Sequence, residues 1–286
     1  MTDIFDEKTK HSGDSMFGFS LPDYNFTVDI PSKGLYYKED HPLYHKEYLE
    51  IKMVTGKEEA ILTNKDYIRK GIVLDKFLQS LFVDRRLVFP EVYADILLAD
   101  KFAILVAARN SAYSTDYKAT VKCPKCKKDV LFGFDLSKVT HKLGFEGLKD
   151  EEKASYTKLN HNCFRLKLPH CQLNMSFKLS SVREESEMIR KAKKMKEEDE
   201  NLSFKEQFID SLVDIEGNTT KEAKEYFLDK VPAIDLLYIR VNVEKINPSA
   251  LLEQNFTCPS CEHEQPEFEV PITQNFLFPH LKIPKY

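Results

Sequence analysis

Residues 97–126 read LLADKFAILVAARNSAYSTDYKATVKCPKC and show three structural patterns in succession. Residues 96–108 are apolar on nearly every side apart from Asp100 and Lys101, which predicts a helix buried all round. This segment is too short and too charged to span a bilayer, which needs about 20 apolar residues. Residues 117–121 then alternate between apolar and polar, which predicts a strand, and Cys-Pro-Lys-Cys follows.

The cysteine pair at the end of this stretch is repeated far downstream. Cys123 and Cys126 form Cys-Pro-Lys-Cys, Cys258 and Cys261 form Cys-Pro-Ser-Cys, and 131 residues separate the two motifs. Each motif lies between two strand-like runs, so each predicts a hairpin with two thiolates on its turn. Two such hairpins facing one ion make a four-cysteine zinc ribbon, with zinc–sulfur distances of about 2.3 Å. We therefore predict one structural zinc per chain, bound by Cys123, Cys126, Cys258 and Cys261; the alternative is two unrelated reduced cysteine pairs.

A second group of possible ligands consists of His161, Cys163, His170 and Cys171. Residues 164–168 and 173–179 alternate and predict a hairpin folded about Pro169, with Leu168 facing Cys171 and Phe164 facing Met175. In that register Cys163 and Cys171 lie five residues apart along the strand, roughly 16 Å. We therefore favour two separate thiols and two loop histidines over a shared metal ion.

Composition describes a soluble globular protein. The chain has 286 residues, of which 12% are aromatic and 31% charged, and six cysteines with no signal-peptide pattern favour folding in a reducing cytoplasm. The 42 basic and 46 acidic residues give a net charge of −4, so no global attraction to nucleic acid is expected. The first cysteine hairpin is rich in lysine and the second in glutamate, and we expect the two sets of charges to neutralise one another.

The predicted fold class is α+β, with a helical bundle, β-hairpins and the split four-cysteine zinc ribbon. Thr55 is a predicted helix N-cap, and further helices are expected around 183–200, 203–214, 220–230 and from Pro232 onward. The expected divisions are an N-terminal arm (1–25), a β segment (26–55), a helical subdomain (56–115), the split ribbon (116–136 and 250–275), a connection and β-hairpin (137–181), a helical insertion (182–249) and a C-terminal tail (276–286).

Several separated stretches, among them Tyr113 through Tyr117, give the chain a family resemblance. Residues 30–37, IPSKGLYY, together with residues 97–101, LLADK, the Ala107-Ala108-Arg109 run and the Cys-Pro-x-Cys motifs, resemble the T4-type bacteriophage baseplate protein family. Where that family commonly has Arg, Gly, Gly and Gly, this chain has Lys101, Ser114, Lys127 and Glu262. The last two replacements require a non-glycine residue in a left-handed turn. The resemblance implies a component or assembly factor of the tail baseplate hub and brings no catalytic residues with it.

These observations predict a non-enzymatic protein that acts through its surfaces. The sequence has no nucleophile elbow, phosphate loop or dinucleotide fingerprint, and four thiolates would leave zinc no open position for water. We expect other phage baseplate and tail proteins as partners in a hetero-oligomeric assembly, without nucleic acid or membrane, in the virion baseplate or in the host cytoplasm during assembly. The alternative is a zinc-ribbon nucleic-acid-binding protein. Both chain ends, residues 1–20 and 276–286, are expected to become ordered against partners.

Overall fold

A computed structural model describes residues 24–192, 208–272 and 276–277. The fold is mixed α+β, as the sequence predicts, with helices packed among small antiparallel sheets. Residues 1–23 of the expected arm, residues 193–207 and 273–275, and residues 278–286 of the expected tail lie outside the described residues. Within the described residues, no helix is both long and apolar enough to span a membrane.

Helices dominate the first half of the chain and recur near its end. Their bounds are α1 Gly56–Leu62, α2 Lys65–Lys70, α3 Val73–Leu81, α4 Pro90–Ala94, α5 Leu98–Ala112, α6 Asp150–Lys153, α7 Val182–Ala192, α8 Lys221–Lys230 and α9 Ala233–Ile246. Short 3-10 helices are Arg85–Val88, Leu136–Lys138 and Gly144–Gly147. Thr55 caps α1 as predicted: its side chain accepts from Lys57 N, while Glu58 accepts from the Thr55 amide.

The strands form four two-stranded sheets and one sheet of four strands within the described residues. Their bounds are β1 Asn25–Asp29, β2 Tyr48–Lys52, β3 Asp116–Lys122, β4 Asp129–Asp135, β5 Thr140–Lys142, β6 Tyr156–Lys158, β7 Cys163–Lys167, β8 Asn174–Lys178, β9 Leu212–Ile215, β10 Ser249–Leu251, β11 Glu253–Thr257 and β12 Glu264–Glu269. The pairs are β1 with β2, β3 with β4, β5 with β10 and β11 with β12, and the larger sheet has the order β6-β7-β8-β9. All pairings are antiparallel.

Helix α5 is the central element, as its all-round apolar pattern predicts. Ala103, Ile104 and Val106 are buried on different sides of it, and it contacts β1, β10 and α7. The charged residues of its first turns also lie inside the protein. Lys101 bonds Asp75 of α3 at 2.7 Å and Glu185 of α7, so it joins three helices through partly buried ion pairs.

The hairpin β7–β8 differs from the predicted register. Phe164 faces Phe177 and Leu166 faces Met175, so the pairing is shifted by two residues from the predicted one. The reason is the turn, which is a six-residue loop from Leu168 to Leu173, closed by a hydrogen bond from Leu168 N to Leu173 O. A shift of two residues preserves the faces of a strand, so Phe164, Leu166 and Met175 are still buried together.

The expected helical insertion at 182–249 also contains a strand. Helix α8 matches the predicted helix at 220–230. The predicted helix at 203–214 was wrong at its end, because residues 212–214 belong to strand β9, which pairs with β8. Strand β9 pairs Leu212 with Phe177 and Ile215 with Met175 through one register shift, and Asp214 accepts from Gly217 N in the following turn. This part of the chain therefore extends the hairpin sheet.

Candidate metal centre

The two cysteine motifs form turns of the same design. In the first, Cys123 N donates to Lys128 O and Lys127 N donates to Cys123 O, both at 2.9 Å. The second turn repeats these bonds between Cys258 and His263 and between Glu262 and Cys258, again at 2.9 Å. Lys127 and Glu262 have φ values of 60° and 54°, so the left-handed position is occupied by a non-glycine residue, as the sequence requires.

The structure brings the four predicted sulfurs together. Their ligand atoms all lie within 4.8 Å of one another. Cys123 Sγ is 3.8 Å from Cys261 Sγ, and Cys126 Sγ is 3.9 Å from Cys258 Sγ. Tetrahedral zinc with bonds of about 2.3 Å would separate its sulfurs by about 3.8 Å, which is close to these two distances. Within residues 24–192, 208–272 and 276–277, these four cysteines form the one group of three or more His, Cys, Asp or Glu side chains that lie close enough to hold a metal ion.

The protonation of these thiols is unequal. Burial raises the pKa of Cys123, but the backbone amides of Cys126 and Lys125 donate to its sulfur, and its pKa falls to about 6. The amide of His263 lowers the pKa of Cys261, but burial and the neighbouring sulfurs raise that pKa to about 11. Several negative charges this close repel one another, and a bound divalent cation would remove that cost.

The two hairpins also contact one another through aromatic side chains. Phe132 of β4 packs edge-on against Phe256 of β11 with ring centroids 5.1 Å apart, and Phe134 stacks on Phe268 of β12 at 6.2 Å. Gln254 reinforces the contact, because it donates to Asp135 O at 2.8 Å and accepts from Asp135 N at 3.0 Å. The hairpins therefore share an apolar and hydrogen-bonded joint in addition to the four cysteines.

A second joint holds the start of the C-terminal tail. Arg109 at the end of α5 is buried; it donates to Asp116 O at 2.8 Å and to Phe276 O at 3.4 Å. Tyr117 packs edge-on against Phe276 and donates to Pro271 O at 2.9 Å. Phe276 and Leu277 are thus buried by the chain itself, and the expectation that this end needs a partner was wrong for these two residues.

The structure does not bring the second group of possible ligands together: His161, Cys163, His170 and Cys171. Cys163 lies buried at the start of β7 opposite Lys178, whereas His170 and Cys171 lie on the turn between β7 and β8. Burial raises the pKa of both Cys163 and Cys171, which keeps these thiols protonated. No set containing them is close enough for a metal within the described part of the chain.

The turn at Leu168–Leu173 closely resembles the two cysteine turns. Gln172 N donates to Leu168 O at 3.1 Å, and Gln172 is left-handed with φ 59°. The amides of His170 and Cys171 donate to the carboxylate of Asp235, at 3.0 and 2.8 Å. The equivalent amides of the first turn, at Lys125 and Cys126, donate to the Cys123 sulfur. The Asp235 carboxylate therefore accepts the two amide hydrogen bonds that the first sulfur accepts in a cysteine turn, and Leu168 stands where that turn has its first cysteine. The sequence signals this likeness through the shared Pro-x-Cys.

The charged residues of the two hairpins do not pair directly. Lys118, Lys122 and Lys127 are exposed on the first hairpin, and Glu262, Glu264 and Glu269 are exposed on the second. Within the described residues, no ion pair joins a lysine of β3–β4 to a glutamate of β11–β12. The hairpins meet through their apolar faces, so the expected mutual neutralisation does not occur through ion pairs and the charges stay on separate surfaces.

Comparison with known proteins gives one match. A family model described as T4 bacteriophage base plate protein matches residues 22–278, which is most of the chain. No curated protein and no solved structure matches the chain.

Proposed function

Because the chain belongs to the T4 bacteriophage base plate protein family, we propose that it is a non-enzymatic structural or assembly component of the baseplate hub of a contractile-tailed phage. The family match over residues 22–278 is the observation that supports this proposal. The protein would act in the virion tail baseplate, or in the host cytoplasm during assembly, within a complex of several different tail proteins. Neither nucleic acid nor a membrane is part of the proposed role.

The proposal includes one structural zinc per chain, held by Cys123, Cys126, Cys258 and Cys261 in a split zinc ribbon. The sulfur separations of 3.8 and 3.9 Å support it, as do the repeated turns that aim backbone amides at the sulfurs. Four thiolates complete a tetrahedral shell, so the metal would have no position for a reacting water and would serve to join the two hairpins.

Buried charged side chains support a structural role as well. Asp100 accepts from Ser32 and Tyr37, Asp235 accepts from two turn amides, and Lys101 pairs with two carboxylates. Each of these groups holds two parts of the chain together. This is the pattern of a scaffold, in which buried polar groups are satisfied by one another.

The test is genetic and compositional. A phage from which this gene has been deleted should accumulate tail intermediates without complete baseplates, and the gene supplied in trans should restore particles. Mass spectrometry of purified particles and of hub intermediates would then separate a permanent component from an assembly factor. Normal baseplates in the deletion phage would contradict the proposal, and salt-dependent binding of purified protein to DNA would instead favour the nucleic-acid-binding alternative.

A further inference from the structure

The two hairpins of the candidate metal centre carry opposite charges. Residues 117–128 contain five lysines and no acidic residue, whereas residues 246–272 contain five glutamates and no lysine or arginine. All ten side chains are exposed. We name Lys118, Lys122, Lys125, Lys127 and Lys128 the Lys face, and Glu253, Glu262, Glu264, Glu267 and Glu269 the Glu face. Within the described residues, none of the ten takes part in an ion pair.

The Lys face and the Glu face lie on opposite sides of the hairpin pair. Lys118 and Lys122 lie on the exposed side of β3, and Phe132 lies on the inner side of the same hairpin. Glu253 lies on the exposed side of β11, and Phe256 lies on its buried side. Side chains alternate between the two faces of a strand, and Phe132 packs against Phe256 where the inner faces meet. The charged faces therefore point away from each other.

Acidic groups of the first hairpin offset only part of the Lys face. Asp129 is the cross-strand partner of Lys122, and Asp116 lies at the far end of β3. Asp135 is partly buried and pairs with Lys138 at 3.8 Å, so these two charges cancel each other. The two exposed aspartates balance two of the five lysines, and three positive charges remain unbalanced on this hairpin.

The Glu face holds like charges in direct opposition. Glu253 of β11 is the cross-strand partner of Glu269 of β12, and like charges that lie opposite each other destabilise a strand pair. The hairpin has no lysine or arginine of its own. Lys245, the basic residue that most closely precedes it in the sequence, pairs with Glu152 at 2.7 Å instead. Cations brought by a neighbouring molecule would therefore relieve repulsion on this face.

We propose that the Lys face of one copy of this chain binds the Glu face of the next copy, so that copies associate head to tail. Each chain carries both complementary faces, and each face lies on an antiparallel hairpin that ends in a Cys-Pro-x-Cys turn. A second copy thus supplies the missing charges of both faces at once. The proposal concerns contact between copies, and its test uses purified protein, so it does not rest on the baseplate role.

Charge selects this arrangement over a symmetric dimer. A two-fold contact through either face would place lysines against lysines or glutamates against glutamates. One neighbour cannot cover both faces, because they lie on opposite sides of the hairpin pair. Each copy therefore binds two neighbours, which gives a closed ring where the rotation between copies closes and an open filament where it does not.

The contact should be weak and sensitive to salt. Exposed ion pairs attract one another weakly, and dissolved ions screen them. Leu131 adds an apolar component, because it is 64% exposed on the same side of the hairpin as Lys118 and Lys122 and a neighbouring copy would cover it. We therefore expect the association at high protein concentration and low salt.

Sedimentation velocity of the purified full-length protein measures the association directly. At about 0.1 M salt, species larger than the monomer should appear as the protein concentration rises. Raising the salt to about 1 M shortens the Debye length from about 10 Å to about 3 Å, so the association should weaken about tenfold or more. A protein that stays monomeric at every concentration would overturn the proposal and leave both faces to a different protein.

Carbodiimide crosslinking of the wild type locates the contact without any substitution. The reagent joins a lysine amine to a carboxylate that touches it, and a mixture of isotope-labelled and unlabelled chains marks the links between copies. We expect such links to join peptides from residues 117–128 to peptides from residues 253–269. Links between copies at other places, or none between these two segments, would contradict the proposal.

Charge reversal then tests each face separately. The basic-face variant carries Lys118→Glu, Lys122→Glu and Lys128→Glu. The acidic-face variant carries Glu253→Lys, Glu264→Lys, Glu267→Lys and Glu269→Lys. Each variant has two faces of the same sign, so each should stay monomeric. A variant with all seven substitutions exchanges the signs of the two faces and should associate again, because complementary faces are restored.

The matched control reverses three exposed lysines on helices α1 to α3. It carries Lys57→Glu, Lys65→Glu and Lys76→Glu, which change the net charge as much as the basic-face variant does. This control should associate like the wild type, and thermal unfolding should show that every variant is folded, because no substituted side chain is buried. Loss of association in the control, or a folded seven-substitution variant that stays monomeric, would overturn the proposal.

Discussion

Ser32 donates both its backbone amide and its hydroxyl to the carboxylate of Asp100, at 3.0 and 2.5 Å. The Tyr37 hydroxyl donates to the same carboxylate at 2.6 Å and accepts from Leu97 N at 3.0 Å. Burial raises the pKa of Asp100, while the donated bonds oppose that rise. Two of the stretches that suggested the family, residues 30–37 and 97–101, are therefore the two sides of a single buried contact.

Replacing Asp100 should test how much this contact stabilises the fold. Asp100→Ala leaves the Ser32 and Tyr37 donors buried without an acceptor, and we expect it to lower the free energy of unfolding by about 3 kcal/mol. Denaturant unfolding would measure the change. Asp40→Ala, at an exposed carboxylate after the same loop, is the control and should change stability little; an equal loss in both variants would show that the contact is not special.

Gly34 provides a backbone test of the same loop. Its φ is +70°, and an added Cβ would lie 2.2 Å from Leu43 O and 2.4 Å from Lys46 N, both backbone atoms that cannot move aside. Gly34→Ala should therefore destabilise the protein by more than about 3 kcal/mol. Gly217 is the matched control, because its φ is +81° but nothing lies within 4 Å of an added Cβ. Gly217→Ala should cost only about 1 kcal/mol, the strain of the left-handed conformation alone.

The sequence predicted local structure well wherever one pattern determines it. The buried helix α5, the strand β3, the Thr55 cap and the turns of the two cysteine motifs each depend on residues a few positions apart. The closeness of the four sulfurs was also predictable, because both motifs repeat the same spacing of ligands for one ion.

Features that depend on distant residues were not predictable. The register of β7–β8 is set by a turn whose amides are bound by Asp235, 65 positions from His170. Strand β9 is short, and it forms because it pairs with the otherwise open edge of β8. The apolar run after Pro232 predicts a buried helix, but Ile234, Leu237 and Val241 of α9 are exposed. The side that faces inward is set by Asp235 and Asn242 through tertiary hydrogen bonds.

His41 should make the stability of the folded protein depend on pH. His41 Nε2 donates to Val92 O at 3.1 Å and its Nδ1 accepts from Leu43 N at 3.1 Å, so the folded protein holds the neutral ring. Burial lowers the pKa of His41, so its contribution to stability is present above its unfolded pKa of about 6.5 and is lost as the pH falls through that value. Between pH 7.5 and 5.5, the wild type should therefore lose more thermal stability than His41→Gln. Equal losses would contradict this assignment.

Zinc content should follow the four proposed ligands and no other cysteine. Elemental analysis of purified wild type should give about one zinc per chain, and Cys258→Ser should remove it, because three sulfurs bind zinc far more weakly than four. Cys171→Ser should retain the full content, since Cys171 donates its amide to Asp235 and lies outside the cluster. Loss of zinc in both variants would point to a different set of ligands.

Removal of zinc should loosen the second hairpin without fully detaching it, because both the proposed zinc site and the aromatic joint connect the hairpins. The zinc would close a loop of 131 residues between Cys126 and Cys258, so its loss restores considerable chain entropy. The aromatic joint remains, however, with Phe256 against Phe132 and Phe268 against Phe134. We expect hydrogen exchange after chelation to rise first in the turns at 123–128 and 258–263, while strands β4 and β11 stay protected.

Phe256→Ala with zinc bound should also keep the hairpins together, since truncating one buried ring costs about 3–5 kcal/mol but leaves the metal joint. Chelation of Phe256→Ala should then expose residues 253–269 completely to exchange and proteolysis. Complete exposure after chelation of the wild type alone would show that zinc is the single joint, and full protection of the chelated Phe256→Ala protein would show that neither joint holds the hairpin.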